Sequence, residues 1–155
     1  MDVELNVATP ENLDELLTLV RAYHAFEHID RTDVERRAAL LPLLAGDSSL
    51  GRVWLISSSG QAVGYIAVCF GYSIEFGGRD AFIDEFYIVE SARGKGMGAG
   101  VLEQVKLEAA RLGVLVLHLE INLNNHAARR LYVRAGFESR ERFHLMSCYL
   151  HNSGC

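Results

Sequence analysis

What this chain has little of narrows its function before any motif is considered. No apolar run approaches the roughly 20 residues that a membrane-spanning helix needs, and the N-terminal stretch carries acids where a basic-then-apolar leader would be. A soluble, cytoplasmic protein without a membrane partner is expected. Basic charge is also scarce: 15 Lys and Arg stand against 20 Asp and Glu, a net charge of −5. Bulk nucleic-acid binding wants a basic face, so no nucleic-acid partner is expected. The three cysteines, Cys69, Cys148 and Cys155, are odd in number and lack metal-ligand spacing. They read as free thiols in a reducing compartment, with Cys69 and Cys148 packed inside strands. Only two prolines occur, and no repeat or linker-like stretch interrupts the sequence. Residues 1–155 therefore read as a single domain, long enough for a core and short for two.

The apolar patterning gives an element order. Val3 to Ala8 reads as a short strand, and Thr9 and Pro10 open a helix with the stripe Leu13, Leu16, Leu17 and Val20. Thr32 followed by Glu35 has capping-box spacing, which starts a second helix running to Leu44. Strands follow at Arg52 to Ser57, at Gln61 to Phe76 with a bend or bulge near Gly71, and at Asp80 to Val89 after a Gly77-Gly78 turn. Val101, Leu102, Val105, Ala109 and Leu112 form one helical face, ended by Gly113. Val114 to Ile121 is nearly all apolar and predicts a strand buried on both faces. Asn124 or Asn125 caps a last helix through Leu131 and Tyr132, and Glu141 to Leu150 reads as a final strand. The order β-α-α-β-β-β-α-β-α-β predicts an α+β fold with a mixed, mostly antiparallel sheet of about six to seven strands and flanking helices. Trp54, on a hairpin strand, is expected in the core.

The densest signal lies between the third hairpin strand and the third helix. Gly94, Gly96, Gly98 and Gly100 fall within seven positions at a strand-to-helix junction. Glycines let backbone N–H groups approach a ligand, and a helix N-terminus adds unpaired donors and a positive dipole end. The block reads as a seat for phosphates. A nucleotide P-loop is excluded, because Gly100 is followed by Val101 and not by Lys-Ser/Thr. A dinucleotide fingerprint fits Gly94, Gly96 and Ala99, with Glu120 at the ribose-binding position. Against it, hairpins precede the loop, the loop starts several residues past the strand, and a second nucleotide half has no room.

Arg93-Gly94-Lys95-Gly96-Met97-Gly98 resembles the Arg/Gln-x-x-Gly-x-Gly/Ala signature of the GCN5-related N-acetyltransferases, the GNAT superfamily. A second block supports it: Asn125 to Tyr132, followed by Ala135-Gly136-Phe137, is similar to that family's Asn-x-x-Ala-x-x-Leu-Tyr…Ala-Gly-Phe segment. The resemblance implies acetyl-CoA as acetyl donor, no metal, and direct attack by a primary amine in a ternary complex. It implies pantetheine contacts near Phe86, Tyr87, Ile88 and Val89. The pyrophosphate would sit on the N–H groups of Arg93, Gly94, Lys95, Gly96, Met97, Gly98 and Ala99. Asn125 and Arg129 (or Arg130) would complete the CoA contacts, and Tyr132 would serve as general acid to the thiolate. A small cationic amine is the expected acceptor. A protein lysine or N-terminus, or a non-catalytic acyl-CoA sensor on the same fold, are the alternatives. A homodimer is plausible from the family.

For the base the candidates are Asp84 and Glu85, which strand alternation sends to opposite faces, so that only one could line a cleft. Asp84 is preferred on the family pattern, acting directly or through water. Glu27, Asp30, Glu75 and Asp84 are expected to line the acceptor side and attract a cation. A rival motif spans His24 to His28, whose H-x-x-E-H spelling is that of an inverted zincin with two imidazoles one helical turn apart. No third ligand stands out downstream. The alternative places these residues at the acceptor-facing end of the helix, with the histidines available for proton transfer.

Overall fold

The computed structural model describes residues 2–151, so Cys155 lies outside the described part of the chain. Strands β1 (Val3–Val7), β2 (Gly51–Ser58), β3 (Gln61–Ser73), β4 (Gly78–Ile88) and β5 (Val116–His118) form one sheet in that spatial order. The first four pair antiparallel and β5 joins β4 in parallel. Helices α1 (Leu13–Phe26) and α2 (Asp33–Leu40) cover one face, and α3 (Met97–Arg111) and α4 (His126–Arg134) belong to the other. The α+β class and the element order match the sequence reading as far as α4. Among the described residues, no helix is long and apolar enough to cross a membrane.

Local chemistry explains the helices. Thr32 Oγ1 accepts from the Glu35 N–H at 3.1 Å while Glu35 Oε1 accepts from the Thr32 N–H at 2.9 Å, the reciprocal cap that starts α2. On α1, Leu16, Leu17, Leu19 and Val20 are buried against Val53, Leu55, Tyr65 and Ala67 of the sheet. On α3, Met97, Val101, Leu102, Val105 and Ala109 meet Trp54, Ile56, Ile66 and Val68 on the opposite face. Trp54 is fully buried, as expected.

Three expectations need correction, all at the sheet's far edge or in its bending. The predicted strand Val114 to Ile121 shrinks to Val116–His118, which is half-buried and not enclosed. Glu141 to Leu150 forms no strand but runs exposed, so the sheet has five strands and not six or seven, and Cys148 is exposed outside any strand. Apolar patterning alone cannot extend an edge that lacks a hydrogen-bonding partner. The bends lie between Ile56 and Ser57 and opposite Ala67–Val68, not at Gly71. Gly71 instead leaves room for the Asp80 carboxylate, which a Cβ there would meet at 2.6 Å.

Gly64 sets how closely β3 approaches β4 beneath Tyr87. A Cβ at that position would lie 2.1 Å from the Tyr87 carbonyl oxygen, and backbone cannot step aside cheaply. Gly64→Ala should therefore cost about 2–3 kcal/mol in urea unfolding. Gly100→Ala, inside α3 and facing open space, should stabilise by about 0.5–1 kcal/mol. Equal effects of the two would refute this account of the sheet.

Candidate active site

The site begins where β4 loses a neighbour. Pairing with β5 runs only through Asp80–Val116, Ala81–Leu117 and Phe82–His118. Beyond Phe82 that edge of β4 has no strand partner among the described residues, and the open stretch this leaves in the sheet is the candidate cleft. Phe86, Tyr87, Ile88 and Val89 lie along this stretch. The Val89 N–H is tied to Val63 O at 2.8 Å, and Ile88 O accepts from Arg93 Nε at 2.7 Å.

At the head of the cleft the glycine block turns into α3. Gly94 (φ 78°) and Gly96 (φ 76°) both adopt the left-handed conformation that favours glycine, and a Cβ on either would face empty space. The Arg93 N–H donates to Glu90 O at 3.1 Å, and the Gly100 N–H to Gly96 O at 3.2 Å. The N–H groups of Gly94, Lys95, Gly96, Met97, Gly98 and Ala99 have no partner among the described residues. They surround the positive end of α3, as an anion seat requires. Among the residues expected to seat the pyrophosphate, Arg93 is thus the one whose own N–H is already used. Its side chain folds back over Phe26 and Tyr87, with the guanidinium carbon 5.5 Å from each ring centroid.

A one-residue slip organises the polar wall. Ala67 pairs with Glu85 but Val68 pairs with Ile83, so Asp84 is an extra residue. Before the slip Ala81 and Ile83 point into the α3-side core. After it Phe86 and Ile88 do, while Tyr87 packs on the α1 side. The alternation inverts at Asp84 and Glu85. The expectation that they face opposite sides fails for this reason: both carboxylates lie on the α1 side. Both raise the pKa of Tyr65 and Tyr23 above the ordinary phenol value, behind the larger effect of burial. Burial, with the same two carboxylates, also pushes the half-buried Cys69 thiol up to about 11.

Glu85 is firmly held. Tyr65 Oη donates to Glu85 Oε1 at 2.8 Å, and His24 Nε2 lies 2.8 Å from Glu85 Oε2. Arg36 Nε donates to His24 Nδ1 at 3.1 Å, and Arg36 Nη1 pairs with Asp33 at 2.8 Å. Asp84, by contrast, is exposed and has no hydrogen-bond or ion-pair partner among the described residues. Beside Glu85 lies a cavity of about 380 Å³ lined by His24, Ile29, Arg31, Glu35, Arg36, Ala39 and Glu85.

The other predicted residues divide. Tyr132 packs edge-on against Phe137, with ring centroids 5.6 Å apart, and burial pushes its hydroxyl up to about 12. Its charge, when ionised, also raises Tyr23, while its own shift comes from burial alone. Asn125 caps α4, accepting from the Ala128 N–H at 3.1 Å. Arg129 lies 3.4 Å from Glu141 on the outer face of α4. Glu27 and Asp30 are exposed near the end of α1 without ion-pair partners among the described residues, while Glu75 pairs with Arg140 at 3.2 Å. None of these three acids lines the cavity, and neither does Asp84, the fourth acid expected there. The zinc-motif geometry is overturned: α1 ends at Phe26, His28 is left-handed at φ 57°, and both His24 ring nitrogens are engaged within the protein. Sequence reasoning missed Tyr23, Tyr65 and Arg36. A signal existed for Tyr65, which shares its strand face with Val53-paired Ala67, but nothing local marked Arg36.

Comparison with known proteins gives the family and the fold. Residues 13–137 match the acetyltransferase (GNAT) family model. An integron cassette protein, HFX_CASS3, from the mobile metagenome of Cole Harbour Salt Marsh superposes with a TM-score of 0.83 and 33% identity, covering 95% of this chain and 90% of that one. A Clostridium acetobutylicum structure described as a predicted acetyltransferase with acetyl-CoA shares the fold at a TM-score of 0.76 and 19% identity, covering 94% of this chain and 96% of that one. The Bacillus subtilis "Uncharacterized N-acetyltransferase YycN" is 33% identical over 63 residues, 41% of this chain and 40% of its own length. The chain spans about half or less of the length of the curated relatives it matches. The chain belongs to the GNAT acetyltransferase family.

The raised groups give a pH prediction. Cys69 moves from 9.0 to about 11 and Tyr132 from 10.0 to about 12 on folding. Each therefore ionises first in the unfolded chain, so stability is complete below about pH 9 and falls between about pH 9 and 12. Urea unfolding at pH 8, 10 and 11 should show this fall, and Cys69→Ala or Tyr132→Phe should each remove part of it, with Tyr23 and Tyr65, raised in the same direction, keeping the rest.

Proposed function

We propose that this protein transfers an acetyl group from acetyl-CoA to the primary amine of a small cationic molecule, by direct attack with both substrates bound. The observation that carries the reading is the run of six unpartnered N–H groups, Gly94 to Ala99, at the N-terminus of the helix that follows a strand bearing two adjacent carboxylates at its bulge. These residues fit an extended, diphosphate-bearing thioester. The N–H run and the α3 N-terminus would receive the diphosphate, and the unpaired edge of β4 would receive the arm. The C. acetobutylicum protein, of the same fold, was solved with acetyl-CoA, which supports the choice of donor.

Acetyl-CoA supplies an acetyl carbonyl activated as a thioester; the remaining work falls to this chain's residues. An amine attacks only when neutral, and an ordinary alkylammonium has a pKa near 10.4, so a proton must leave before or during attack. Asp84 is the carboxylate open to receive it, directly or through water. Glu85, with both oxygens already accepting, holds the ammonium in place. Tyr132, raised to about 12, remains protonated at neutral pH. Its hydroxyl is about three units less acidic than an ordinary thiol, so it donates a hydrogen bond to the sulfur as charge builds there, in place of an early full proton transfer.

Charge around the cavity supports a cationic acceptor. Arg31 pairs with Glu35 at 3.6 Å, Arg36 and Arg21 both pair with Asp33, and Arg37 pairs with Asp14. Glu27, Asp30 and Asp84 remain unmatched nearby, leaving a negative field for a cation.

A panel of amines assayed by CoA release should find polyamine-like or lysine-like acceptors. Asp84→Asn should lower kcat by about 10²–10³, Glu85→Gln should chiefly raise the KM of the amine, and Tyr132→Phe should cut kcat with the acetyl-CoA Kd unchanged. An unchanged rate in Tyr132→Phe would remove its role. Acetyl-CoA binding without turnover of any amine would favour an acyl-CoA sensor.

A further inference from the structure

We propose that His24 is a positioning residue, held by Arg36 in the single tautomer that donates to Glu85, and that it fixes Glu85 in the acceptor cavity without neutralising it. The inference rests on the acetyltransferase reading and extends it to a residue on α1 that neither the family signature nor any relative assigns.

The argument follows from what each group can donate. A guanidinium has only N–H donors and never accepts. Arg36 Nε at 3.1 Å from His24 Nδ1 therefore needs a lone pair on Nδ1. The single ring hydrogen then sits on Nε2, 2.8 Å from Glu85 Oε2, and donates to it. A doubly protonated ring would set an N–H of the imidazole against the N–H of Arg36. With 8% of His24 exposed, water has little access to relieve that contact. Both ring nitrogens are occupied by protein, so the ring is not free to shuttle protons to a substrate.

The placement also explains why a histidine stands between Arg36 and Glu85. A direct arginine–glutamate pair would cancel the charge of Glu85. Here Asp33 shares its single charge between Arg36 at 2.8 Å and Arg21 at 2.7 Å, and the His24 ring stands between Arg36 and Glu85. Only neutral donors, the His24 ring and the Tyr65 hydroxyl, reach Glu85. Its orientation is fixed while its charge stays directed at whatever occupies the cavity, the arrangement that a bound ammonium needs.

Kinetics and NMR together test this. With an amine found by the screen, His24→Leu should lower kcat/KM for the amine by about tenfold, with the acetyl-CoA Kd within about twofold of wild type. His24→Gln, which keeps an N–H within reach of Glu85, should recover most of the loss. In a Glu85→Gln background, His24→Leu should cost less than about twofold, because the partner it positions is gone. Wild-type kinetics in His24→Leu, or additive losses in the double variant, would overturn the proposal and leave the acetyltransferase reading intact. If wild type turns over no amine, that reading fails by itself. The ¹⁵N imidazole shifts at neutral pH then decide, as they do if His24→Leu does not fold. A bare Nδ1 and a protonated Nε2 in wild type, lost in Arg36→Met, support the assignment. An imidazolium or an Nδ1–H ring in wild type refutes it.

Discussion

The one-residue slip between β3 and β4 is the constraint on which the candidate site depends. With uninterrupted pairing, residues 81, 83, 85 and 87 of β4 would share one face, and Glu85 would point into the α3-side core. The extra residue at Asp84 inverts the alternation. Phe86 and Ile88 then continue the α3-side core that Ala81 and Ile83 began. Two adjacent carboxylates emerge on the α1 side, a placement that regular strand geometry forbids. The bulge lies just past the last β4–β5 pair, Phe82–His118, where the sheet also opens. Local twist, the end of pairing and the polar wall thus coincide within three residues.

The layer of α1 and α2 then sorts the charges that the bulge brings together. Buried carboxylates are tolerated when hydrogen-bonded, and Glu85 obtains both of its partners from residues far away in sequence, Tyr65 and His24. The arginines on this face are paired with acids of the same layer, Asp33 above all. Of the two carboxylates at the bulge, Asp84 is left without a fixed partner among the described residues. The exposed pairs contribute little to stability. Their effect is on the field, since each arginine they hold is one less countercharge to the cavity.

Legibility in the sequence followed the range of the interactions. The capping box Thr32–Glu35, the α3 stripe and the turn into α3 at the glycine block are set by neighbours within a few positions, and the structure shows all three. The slip was not legible, because it is a relation between two strands and leaves no mark on either alone. Val114 to Ile121 has the apolarity of an enclosed strand but pairs along only three residues, and Glu141 to Leu150 has strand-like composition with no pairing at all. The H-x-x-E-H spelling assumed a helix that continues, whereas α1 stops at Phe26. Asp84 and Glu85 could be named as candidates from the strand, but their place on one face could not. The partners that fix Glu85 are 20 and 61 positions away.

Two adjacent carboxylates invite one role, yet their surroundings separate them. A carboxylate whose oxygens already accept from a phenol and an imidazole is held in place. It serves best as fixed charge. A carboxylate with no partner can rotate, bind water and take up a proton without breaking any contact, as general-base work requires. Sites that run acid–base chemistry near neutrality often rest on such pairs, in which environment and not residue type assigns the roles. Here the bulge supplies the pair, and His24 and Tyr65 create the difference. Asp84 is left as the carboxylate free to move a proton.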